Sequence, residues 1–344
     1  MRKSNKKVKL KDIAEASGVA VTTVSAALNR TGRVSEKLRQ KILKVSREMN
    51  YEPNIAAQLL KQKKCNDIGL IVSDIPERIF GSGYFQPMIA GFIELCEEEN
   101  IRCQIEYHNP LLEKDKVPSL LTDNFAGGVI HGGAITESIK NWLGKNPDFP
   151  FIALEEDYKN NITSNYDEAF YRGIQYLVAL GHRDFGLIAG PEKYSLQKQI
   201  VSGFERAVKD FELNTKQEWM TSLNLEQDIE TVETTVEWGR RLFAAKEYPS
   251  AIICCDGRSV KGLLHSACEA GVRVPDDLSI LSCCSKTEAE QIYPAVSSIN
   301  WNSTEALFKA LLILRSLMSN DNAINRQIVI DPVMTIRKSI AKKQ

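Results

Sequence analysis

The sequence predicts an α/β protein, in which a small helical N-terminal head precedes a body of two doubly wound parallel-sheet lobes. The 344 residues have zero net charge, yet residues 1–64 carry 16 Lys or Arg against 5 Asp or Glu, so a basic head precedes an acidic body. The head contains short apolar stripes at helical spacing. From residue 67 onward, short apolar segments alternate with amphipathic stretches, which is typical of parallel strands covered by helices on both faces.

The first two predicted helices lie within residues 10–29, which read LKDIAEASGVAVTTVSAALN. Two helices that cross tightly need a small residue at their contact, a glycine in the turn and a branched residue that packs back on the first helix. Ala14, Gly18 and Val24 meet these needs in order. The spacing therefore predicts a helix-turn-helix.

A third helix is predicted after Ser35, which can cap its N-terminus. Its apolar residues recur at helical spacing, at Leu38, Ile42, Val45 and Met49, and its other face is basic, with Lys37, Arg39, Lys41, Lys44 and Arg47. Together with the excess of positive charge, this pattern favours a nucleic-acid-binding module. The alternative is a three-helix bundle whose charges form a solvated face.

A short amphipathic segment follows the third helix. Pro53 is well placed at a helix start, but residues 55–61 form only one or two turns and would be marginal as an isolated helix. We expect this helix to form only when a partner buries Leu59 or Leu60.

The body is predicted to contain alternating strands and helices. The predicted strands are apolar throughout and cover residues 68–72, 103–107, 128–131, 151–154, 185–189, 251–255 and 279–283. The predicted helices lie near residues 86–99, 168–180, 196–212, 229–245, 259–270 and 304–318. Two units of roughly 130–140 residues each fit this length.

Ligands of open α/β sheets bind at the carboxyl ends of the strands. The predicted strand ends carry Ser73-Asp74, Gly132-Gly133, Glu155-Glu156, Gly190-Pro191, Asp256-Gly257, Cys284-Ser285 and Asn300-Trp301-Asn302. Four aromatic residues could stack on a sugar, namely Phe80, Tyr84, Phe85 and Trp301. The alternatives are packing within a lobe for the aromatics, and a turn or cap role for Asp74 and Glu155.

The eight cysteines include no Cys-x-x-Cys pair, and they are interpreted as reduced, mostly buried thiols. Two vicinal pairs, Cys254-Cys255 and Cys283-Cys284, end neighbouring predicted strands. A thiolate cluster there could bind a soft metal or sense oxidants. Because no ligand spacing and no nearby histidine support a metal, small buried strand residues are the favoured interpretation.

Several classes of function are disfavoured. No apolar run is long enough to cross a membrane, and the basic N-terminus lacks the apolar region of a signal peptide, so a cytoplasmic protein without membrane partner is expected. Enzyme motifs and phosphate-binding glycine loops are missing, so no catalytic residue, metal or cofactor is expected. His131-Gly132-Gly133 resembles an esterase oxyanion loop only faintly and fits a strand-end turn better. His182 is expected to be structural.

Several segments resemble the lactose-repressor (LacI/GalR) family of transcriptional regulators. They are VKLKDIAEASGVAVTTVSAALN, RVSEKLRQKI, NYEPNIAAQLLK, DIGLIVSDI, Leu180-Gly181-His182-Arg183, the VPDDLS segment at 274–279 and the segment near the C-terminus at 326–337. The resemblance covers nearly the whole chain. It implies a helix-turn-helix domain at 1–51, a hinge helix and linker at 52–66, and an effector-binding and dimerisation core at 67–344.

The resemblance also implies a fold and a mechanism for the core. Two lobes like those of periplasmic sugar-binding proteins would be joined by three crossovers. One lobe would hold about residues 67–165, together with a later segment near 297–325 where the chain comes back to this lobe. An effector, of carbohydrate type, would bind between the lobes and change the affinity of a homodimer for a near-palindromic operator in double-stranded DNA. A repressor is expected.

The family's DNA-contacting positions can be carried onto this sequence. The helix from about Val21 to Asn29 would enter the major groove. Bases would be read by Val21, Thr22 and Ala26, and phosphates would be contacted by Lys11, Thr23, Ser25 and Asn29. In the hinge, the corresponding minor-groove residues are Asn54, Ala57, Leu60 and Lys61, with Leu60 as the wedge at the operator centre.

Two departures from the family lie in or beside the recognition helix, and the first weakens direct base readout. Most relatives have arginine where this chain has Ala26, and arginine reads guanine bidentately. Alanine offers only a methyl contact, so a preference for thymine methyl groups near Val21 and Ala26 is expected. Ala20 stands where a serine would cap the recognition helix.

The family's sugar-clamping residues are mostly replaced. Ile200 stands in place of arginine, Asp256 in place of asparagine, and Cys284 in place of aspartate. The remaining candidate effector residues are Asp74, Tyr84, Phe85, Glu155, Lys198, Asp256, Cys284 and Trp301, with Lys198 as a shifted cation. Two alternatives stay open: a core that is constitutive or controlled by a protein partner, and a small-molecule-binding protein or enzyme with a vestigial head.

Overall fold

The computed structural model describes residues 10–28, 34–49, 67–81, 83–123, 126–192, 194–224, 228–245, 247–319 and 327–343. The chain forms two compact units, Met1–Lys64 and Cys65–Gln344. We call the first unit the head and the second the core.

The head contains three described helices, α1 (Leu10–Ser17), α2 (Val21–Leu28) and α3 (Glu36–Glu48). Their apolar faces meet in a small core of Ile13, Ala14, Val24, Ala27 and Ile42. The turn between α1 and α2 passes through Gly18 at a φ of +71°, a conformation that favours glycine. Behind it, the Val19 amide donates to the Ala14 carbonyl at 3.1 Å. The predicted helix-turn-helix is confirmed.

The core contains two six-stranded sheets. The sheet of the first lobe has the order β11-β5-β4-β3-β1-β2, and all its strands are parallel. These strands are β1 (Ile68–Ser73), β2 (Cys103–His108), β3 (Gly128–Gly133), β4 (Phe151–Leu154), β5 (Asn161–Ser164) and β11 (Gln327–Ile330).

The sheet of the second lobe has the order β12-β10-β9-β8-β6-β7 and is parallel except for β12, which runs antiparallel to β10. Its strands are β6 (Phe185–Ala189), β7 (Met220–Ser222), β8 (Ala251–Cys254), β9 (Ser279–Cys283), β10 (Ser297–Asn300) and β12 (Val333–Thr335). The predicted pair of parallel-sheet lobes is thus confirmed.

Helices cover both sheets. Those of the first lobe are α4 (Pro76–Gly81), α5 (Phe85–Glu98), α6 (Ser119–Thr122), α7 (Glu137–Lys145) and, from late in the sequence, α13 (Ser303–Met318). Those of the second lobe are α8 (Tyr166–Ala179), α9 (Ser195–Asp210), a 3-10 turn (Gln217–Trp219), α10 (Asp228–Ala244), α11 (Gly257–Glu269) and α12 (Lys286–Gln291). Among the described residues, none of these helices combines the length and the apolar character that a bilayer crossing requires.

The chain crosses between the lobes three times: from β5 to α8, from β10 to α13, and from β11 to β12. This agrees with the three predicted crossovers. The expected composition of the first lobe was wrong in one respect. Residues 297–300 form β10 in the second sheet, and the return to the first lobe begins only with α13, which packs on β3, β4 and β5.

Candidate functional site

The recognition helix α2 has one buried and one open face. Val24 and Ala27 pack in the core of the head, whereas Val21 is 41% exposed, Thr22 is exposed and Ala26 is half-buried. The three predicted base-reading residues therefore share the side that points away from the head's core. A helix with this division can lay its open face into the major groove.

The open face of α2 is uncharged. None of the eight residues of α2 is acidic or basic, and Ala20 before it has no side chain that could cap the helix. Ala20 contributes only its carbonyl, which accepts from the amides of Thr23 and Val24. The helix thus offers methyl groups and threonine hydroxyls to a ligand, and no guanidinium.

The predicted phosphate contacts are only partly described. Lys11 is exposed in the first turn of α1, and Thr23 is half-buried. The side chain of Ser25, all of Asn29, and the hinge residues Asn54, Ala57, Leu60 and Lys61 lie outside the described residues.

The basic face of α3 has structural as well as electrostatic roles. Lys41 Nζ donates to the Ser17 carbonyl at 3.1 Å, at the C-terminus of α1, where a cation is favourable. Arg39 pairs with Glu36 at 3.1 Å within α3. An ion pair with one exposed partner contributes about 0–1 kcal/mol, so Arg39 can be redirected to a phosphate at small cost.

In the core, an aromatic cluster lies where α5 begins and where β10 leads into α13. The ring of Tyr84 lies 4.8 Å from that of Trp301 and 5.0 Å from that of Phe85. Phe85 and Trp301 are buried, at 3% and 8% exposure. Phe80 is 73% exposed and does not share their burial. Three of the four predicted aromatic residues are therefore brought together.

Glu155 lies at the end of β4, close to this cluster. It adopts a φ of +60°, which is unusual for a residue other than glycine and is common at functional sites. Its carboxylate accepts from Ser164 Oγ at 2.6 Å and from the Ser164 amide at 3.1 Å. Burial raises the pKa of Glu155 to about 7, although the bonds from Ser164 favour the charged form.

Two buried polar atoms of the cluster lack partners. Tyr84 Oη and Trp301 Nε1 make no hydrogen bond among the described residues. Trp301 Nε1 lies near enough to the Glu155 carboxylate to favour its charged form, yet the geometry completes no bond. Burial, Glu155 and Glu156 all raise the pKa of Tyr84, so its hydroxyl stays protonated. An unpaired buried polar group costs about 1–3 kcal/mol, which a ligand or water would recover.

The lobes are connected directly by Arg78. Its guanidinium pairs with Asp74 in the first lobe at 2.9 Å, donates to Tyr194 Oη in the second lobe, and lies 4.3 Å from the centre of the Tyr194 ring. We call Asp74, Arg78 and Tyr194 the interlobe bridge. Nearby, a Cβ on Gly83 would lie 3.0 Å from the Ser285 amide, so the lobes touch here too. Sequence reasoning missed Arg78 and Tyr194.

Two further predicted effector residues, Asp256 and Lys198, have surroundings unlike those of the aromatic cluster. Asp256 caps α11, accepting from the Ser259 amide at 2.8 Å, and it pairs with the buried Arg258 at 2.6 Å. Both of its oxygens are therefore engaged by the second lobe itself. Lys198 is exposed in the first turn of α9.

The four vicinal cysteines end neighbouring strands, as expected. Burial raises the pKa values of all four thiols, to about 12 for Cys284, so they stay protonated. Within the described ranges, no group of three or more histidine, cysteine or acidic residues could hold a metal ion. These observations favour the interpretation as small buried residues.

His131-Gly132-Gly133 is a close-packed strand end. A Cβ on Gly132 would lie 2.3 Å from Met88 Sδ, and one on Gly133, at a φ of +95°, would lie 2.1 Å from the Ser73 carbonyl oxygen. His182 bonds through Nδ1 to Ser250 Oγ at 2.9 Å and through Nε2 to the Ala341 carbonyl at 3.0 Å. Close packing therefore accounts for the two glycines after His131, and hydrogen bonding within the second lobe accounts for His182.

Comparison with protein families identifies both units of the chain. The family described as "Bacterial regulatory proteins, lacI family" matches residues 9–54, and the family described as "Periplasmic binding protein-like domain" matches residues 174–340. The HTH-type transcriptional repressor PurR of Vibrio parahaemolyticus is 26% identical over 340 residues, covering 97% of this chain and 98% of the relative. The PurR of Photobacterium profundum is 26% identical over 338 residues, with 96% and 98% covered.

Solved structures share the fold over the same length. A lac repressor dimer bound to operator and the anti-inducer ONPF has a TM-score of 0.80 at 18% identity, covering 98% of this chain and 100% of that one. A complex of the transcriptional regulator CelR with cellobiose has a TM-score of 0.68 at 17% identity, covering 97% and 100%. The helix-turn-helix head, the two-lobed core and these full-length relatives agree: the chain belongs to the lacI family of DNA-binding transcriptional regulators.

Proposed function

We propose that this chain is a cytoplasmic, homodimeric repressor that binds a near-palindromic operator and responds to a small-molecule effector, of carbohydrate type, held between its two lobes. The main observation that supports this proposal is the open, uncharged face of α2 formed by Val21, Thr22 and Ala26. The domains used for this function are 1–51 for DNA, 52–66 for the hinge, and 67–344 for the effector and the dimer.

The chemistry of α2 sets the expected DNA preference. Val21 and Ala26 offer methyl groups, which contact the C5-methyl of thymine in the major groove. Affinity must then come largely from phosphate contacts by the basic head and from the hinge, and such contacts carry no sequence information directly. We infer an operator whose outer half-sites tolerate substitution more than its centre does.

The dimer is supported by an apolar surface on the first lobe. β2 is an edge strand, and its outward-facing Ile105 and Tyr107 are 43% and 46% exposed. The following loop exposes Leu111 and Leu112 at 72% and 83%. An exposed apolar edge strand is a liability in a monomer, and a second copy of this chain would cover it symmetrically.

The effector site is supported by the aromatic cluster and by the carboxylates beside it. Tyr84, Phe85 and Trp301 pack together with Tyr84 Oη and Trp301 Nε1 unpaired among the described residues, and Glu155 accepts hydrogen bonds from Ser164 beside them. A ligand that binds more tightly to one arrangement of the two lobes stabilises that arrangement. The change in lobe arrangement then acts on the hinge. A coupling of about 1–3 kcal/mol changes DNA affinity about 5–150-fold.

Selection of bound duplexes from a random pool, followed by anisotropy titration of the selected site, tests the proposed function. We expect a palindrome, thymines opposite α2, and affinity that falls steeply with salt. Equal retention of every sequence, or a protein that stays monomeric on the selected site, would contradict it.

A second candidate is a core that holds one arrangement without a small molecule. The interlobe bridge favours it, because Arg78 and Tyr194 join the lobes through the protein's own side chains. Operator titrations with and without fractions of a metabolite extract separate the two candidates: operator affinity that no fraction changes supports the constitutive core.

A further inference from the structure

Residues next to α4 contact the second lobe where two of its parallel strands end. Tyr84 packs on Trp301, which follows β10, with 4.8 Å between the ring centroids. A Cβ on Gly83 would lie 3.0 Å from the amide nitrogen of Ser285, which follows the neighbouring strand β9. Both contacts therefore lie at the edge of the second sheet that its carboxyl ends form.

The interlobe bridge adds a third contact farther along the same edge. Tyr194 follows β6, and Arg78 of α4 donates to its hydroxyl and lies 4.3 Å from the centre of its ring. In the second sheet β10, β9, β8 and β6 are neighbours in this order. β9 and β6 lie two strand spacings apart, about 10 Å, and the six residues of α4 span about 9 Å. Helix α4 thus lies opposite the end of β8, between its two contacts.

Helix α4 has the position of a lid on the cleft. Ile79 is buried in the hydrophobic core, whereas Phe80 is exposed to solvent. One side of α4 is thus fixed to its own lobe and the other faces water, which places the helix at the rim of the cleft and not inside it. Arg258 and Trp301, which follow β8 and β10 at the covered edge, are both buried.

The contact between Arg78 and Tyr194 can break without stranding a charge. Arg78 pairs with Asp74 at 2.9 Å, and both residues belong to the first lobe. If the lobes separate, the guanidinium keeps this counter-charge and loses the tyrosine hydroxyl and ring. Removing the partner of a buried charge is costly, and this arrangement avoids that cost, so the contact suits repeated opening and closing.

Resting on the proposed function of the cleft as the effector site, we propose that α4 is a lid that closes this cleft before any effector binds, with Arg78 and Tyr194 as its latch. An effector enters only when the latch has opened. Because the affinity for a ligand is lowered by the fraction of chains that can accept it, the latch sets the effector concentration at which the repressor responds.

Fluorine NMR of the full-length chain tests the proposal without an effector. The four tryptophans are replaced by 5-fluorotryptophan, and the resonance of Trp301 is assigned with Trp301→Phe. The soluble radical TEMPOL adds relaxation to each ring that solvent reaches, and Trp301 should be protected in the wild type. In Tyr194→Phe the relaxation that TEMPOL adds at Trp301 should rise about tenfold, which corresponds to about 1.4 kcal/mol. Arg78→Lys, which keeps the charge but not the planar contact with the ring, should act in the same direction.

The matched control is Tyr171→Phe. Tyr171 also lies beside an arginine, with Arg206 4.2 Å from the centre of its ring, and its hydroxyl donates to Asp210 at 3.3 Å. All three residues belong to the second lobe, on α8 and α9. The protection of Trp301 should therefore stay as it is in the wild type.

A disulfide across the cleft distinguishes opening of the lid from loosening within one lobe. A Cβ on Gly83 would lie 3.1 Å from that of Ser285, close to the separation of about 3.5–4.5 Å in disulfides. Gly83→Cys combined with Ser285→Cys should therefore crosslink under oxidised glutathione. In the Tyr194→Phe background this crosslink should restore the protection of Trp301, and its reduction should remove the protection again.

Three results would overturn the lid: equal protection of Trp301 in Tyr194→Phe and the wild type, no crosslink between positions 83 and 285, or exposure of Trp301 that persists in the crosslinked chain. Operator binding, measured by anisotropy on the same samples, keeps the two proposals apart. If the chain binds its selected operator and Trp301 does not respond to Tyr194→Phe, the lid is wrong and the repressor function stands. If Trp301 responds as expected and no operator is bound in any condition, the lid stands and the proposed function fails.

Discussion

His131 makes the stability of the first lobe depend on pH. It lies fully buried in β3, its ring centroid 5.6 Å from that of Phe151, and neither of its ring nitrogens has a hydrogen-bond partner among the described residues. Burial, with a smaller contribution from His108, lowers the pKa of His131 from 6.5 to about 3. His108 is itself buried, with Nδ1 3.6 Å from Glu113.

The sign and size of the effect follow from proton linkage. Between the folded pKa of about 3 and the unfolded pKa of 6.5, only the unfolded state binds the proton, so stability falls as pH falls through this window. At about pH 7 the cost is small, and at about pH 5.5 it is larger by about 1.3 kcal/mol. Below about pH 3 both states are protonated and the loss levels off.

We expect His131→Phe to remove this loss. The phenyl ring keeps the contact with Phe151 and replaces two unpaired nitrogens, which should stabilise the lobe by about 1–3 kcal/mol near neutral pH. The measurement is urea unfolding of both proteins at about pH 7 and about pH 5.5, where the wild type should lose about 1.3 kcal/mol more than the variant.

The control for this comparison is Phe308→Leu, at an exposed position of α13, which leaves every histidine in place. Its change with pH should match that of the wild type within error. If His131→Phe and the wild type lose equal stability on acidification, the ring of His131 is not held neutral, and the reasoning from burial is refuted.

Three further predictions concern DNA, the interlobe bridge and the dimer. Ala26→Arg should add about 1–3 kcal/mol of preference for guanine at one outer half-site position, measured on selected duplexes; unchanged selection would contradict the docking of α2. Tyr194→Phe keeps the ring beside Arg78 but removes a hydrogen bond from a charged donor, which is worth about 1.5–3 kcal/mol. Backbone amides of α4 should therefore exchange hydrogen about tenfold or more faster than in the wild type. Unaltered exchange would show that the interlobe bridge does not hold the lobes. Leu112→Lys should shift sedimentation towards monomer, whereas Tyr176→Lys, on the second lobe, should not; a stable Leu112→Lys dimer would place the interface elsewhere.

The head could be predicted from its sequence because local spacing determines it. Ala14, Gly18 and Val24 give the crossing, the turn and the contact within eleven residues, and α1 to α3 form as expected. The five strands that sequence reasoning missed have only three or four residues each. β5 reads NITS and β10 reads SSIN, and such segments become strands only because neighbouring strands offer them backbone partners.

The cleft could be predicted only in part. Strand ends indicated Glu155 and Trp301, and the structure brings both beside Tyr84. The same rule selected Asp256, whose oxygens are used by Ser259 and Arg258 instead. Caps and ligands favour the same residue types at the same place in the chain, so spacing alone does not separate them.

The interlobe bridge was beyond sequence reasoning for a geometrical reason. Arg78 and Tyr194 are 116 positions apart and lie in different lobes. Each follows a strand end by a few residues, as many surface residues do. Their contact depends on how three crossovers orient the lobes, which periodicity does not encode.

The late strands have a consequence for synthesis on the ribosome. Each sheet takes an edge strand from the far end of the chain, β11 from residues 327–330 and β12 from residues 333–335. A nascent chain that has emerged only to residue 296 holds neither sheet complete, so neither lobe can finish folding before translation is nearly over. Premature termination before residue 327 should remove both edge strands and so damage both lobes together, and the truncated product should be a substrate for proteolysis.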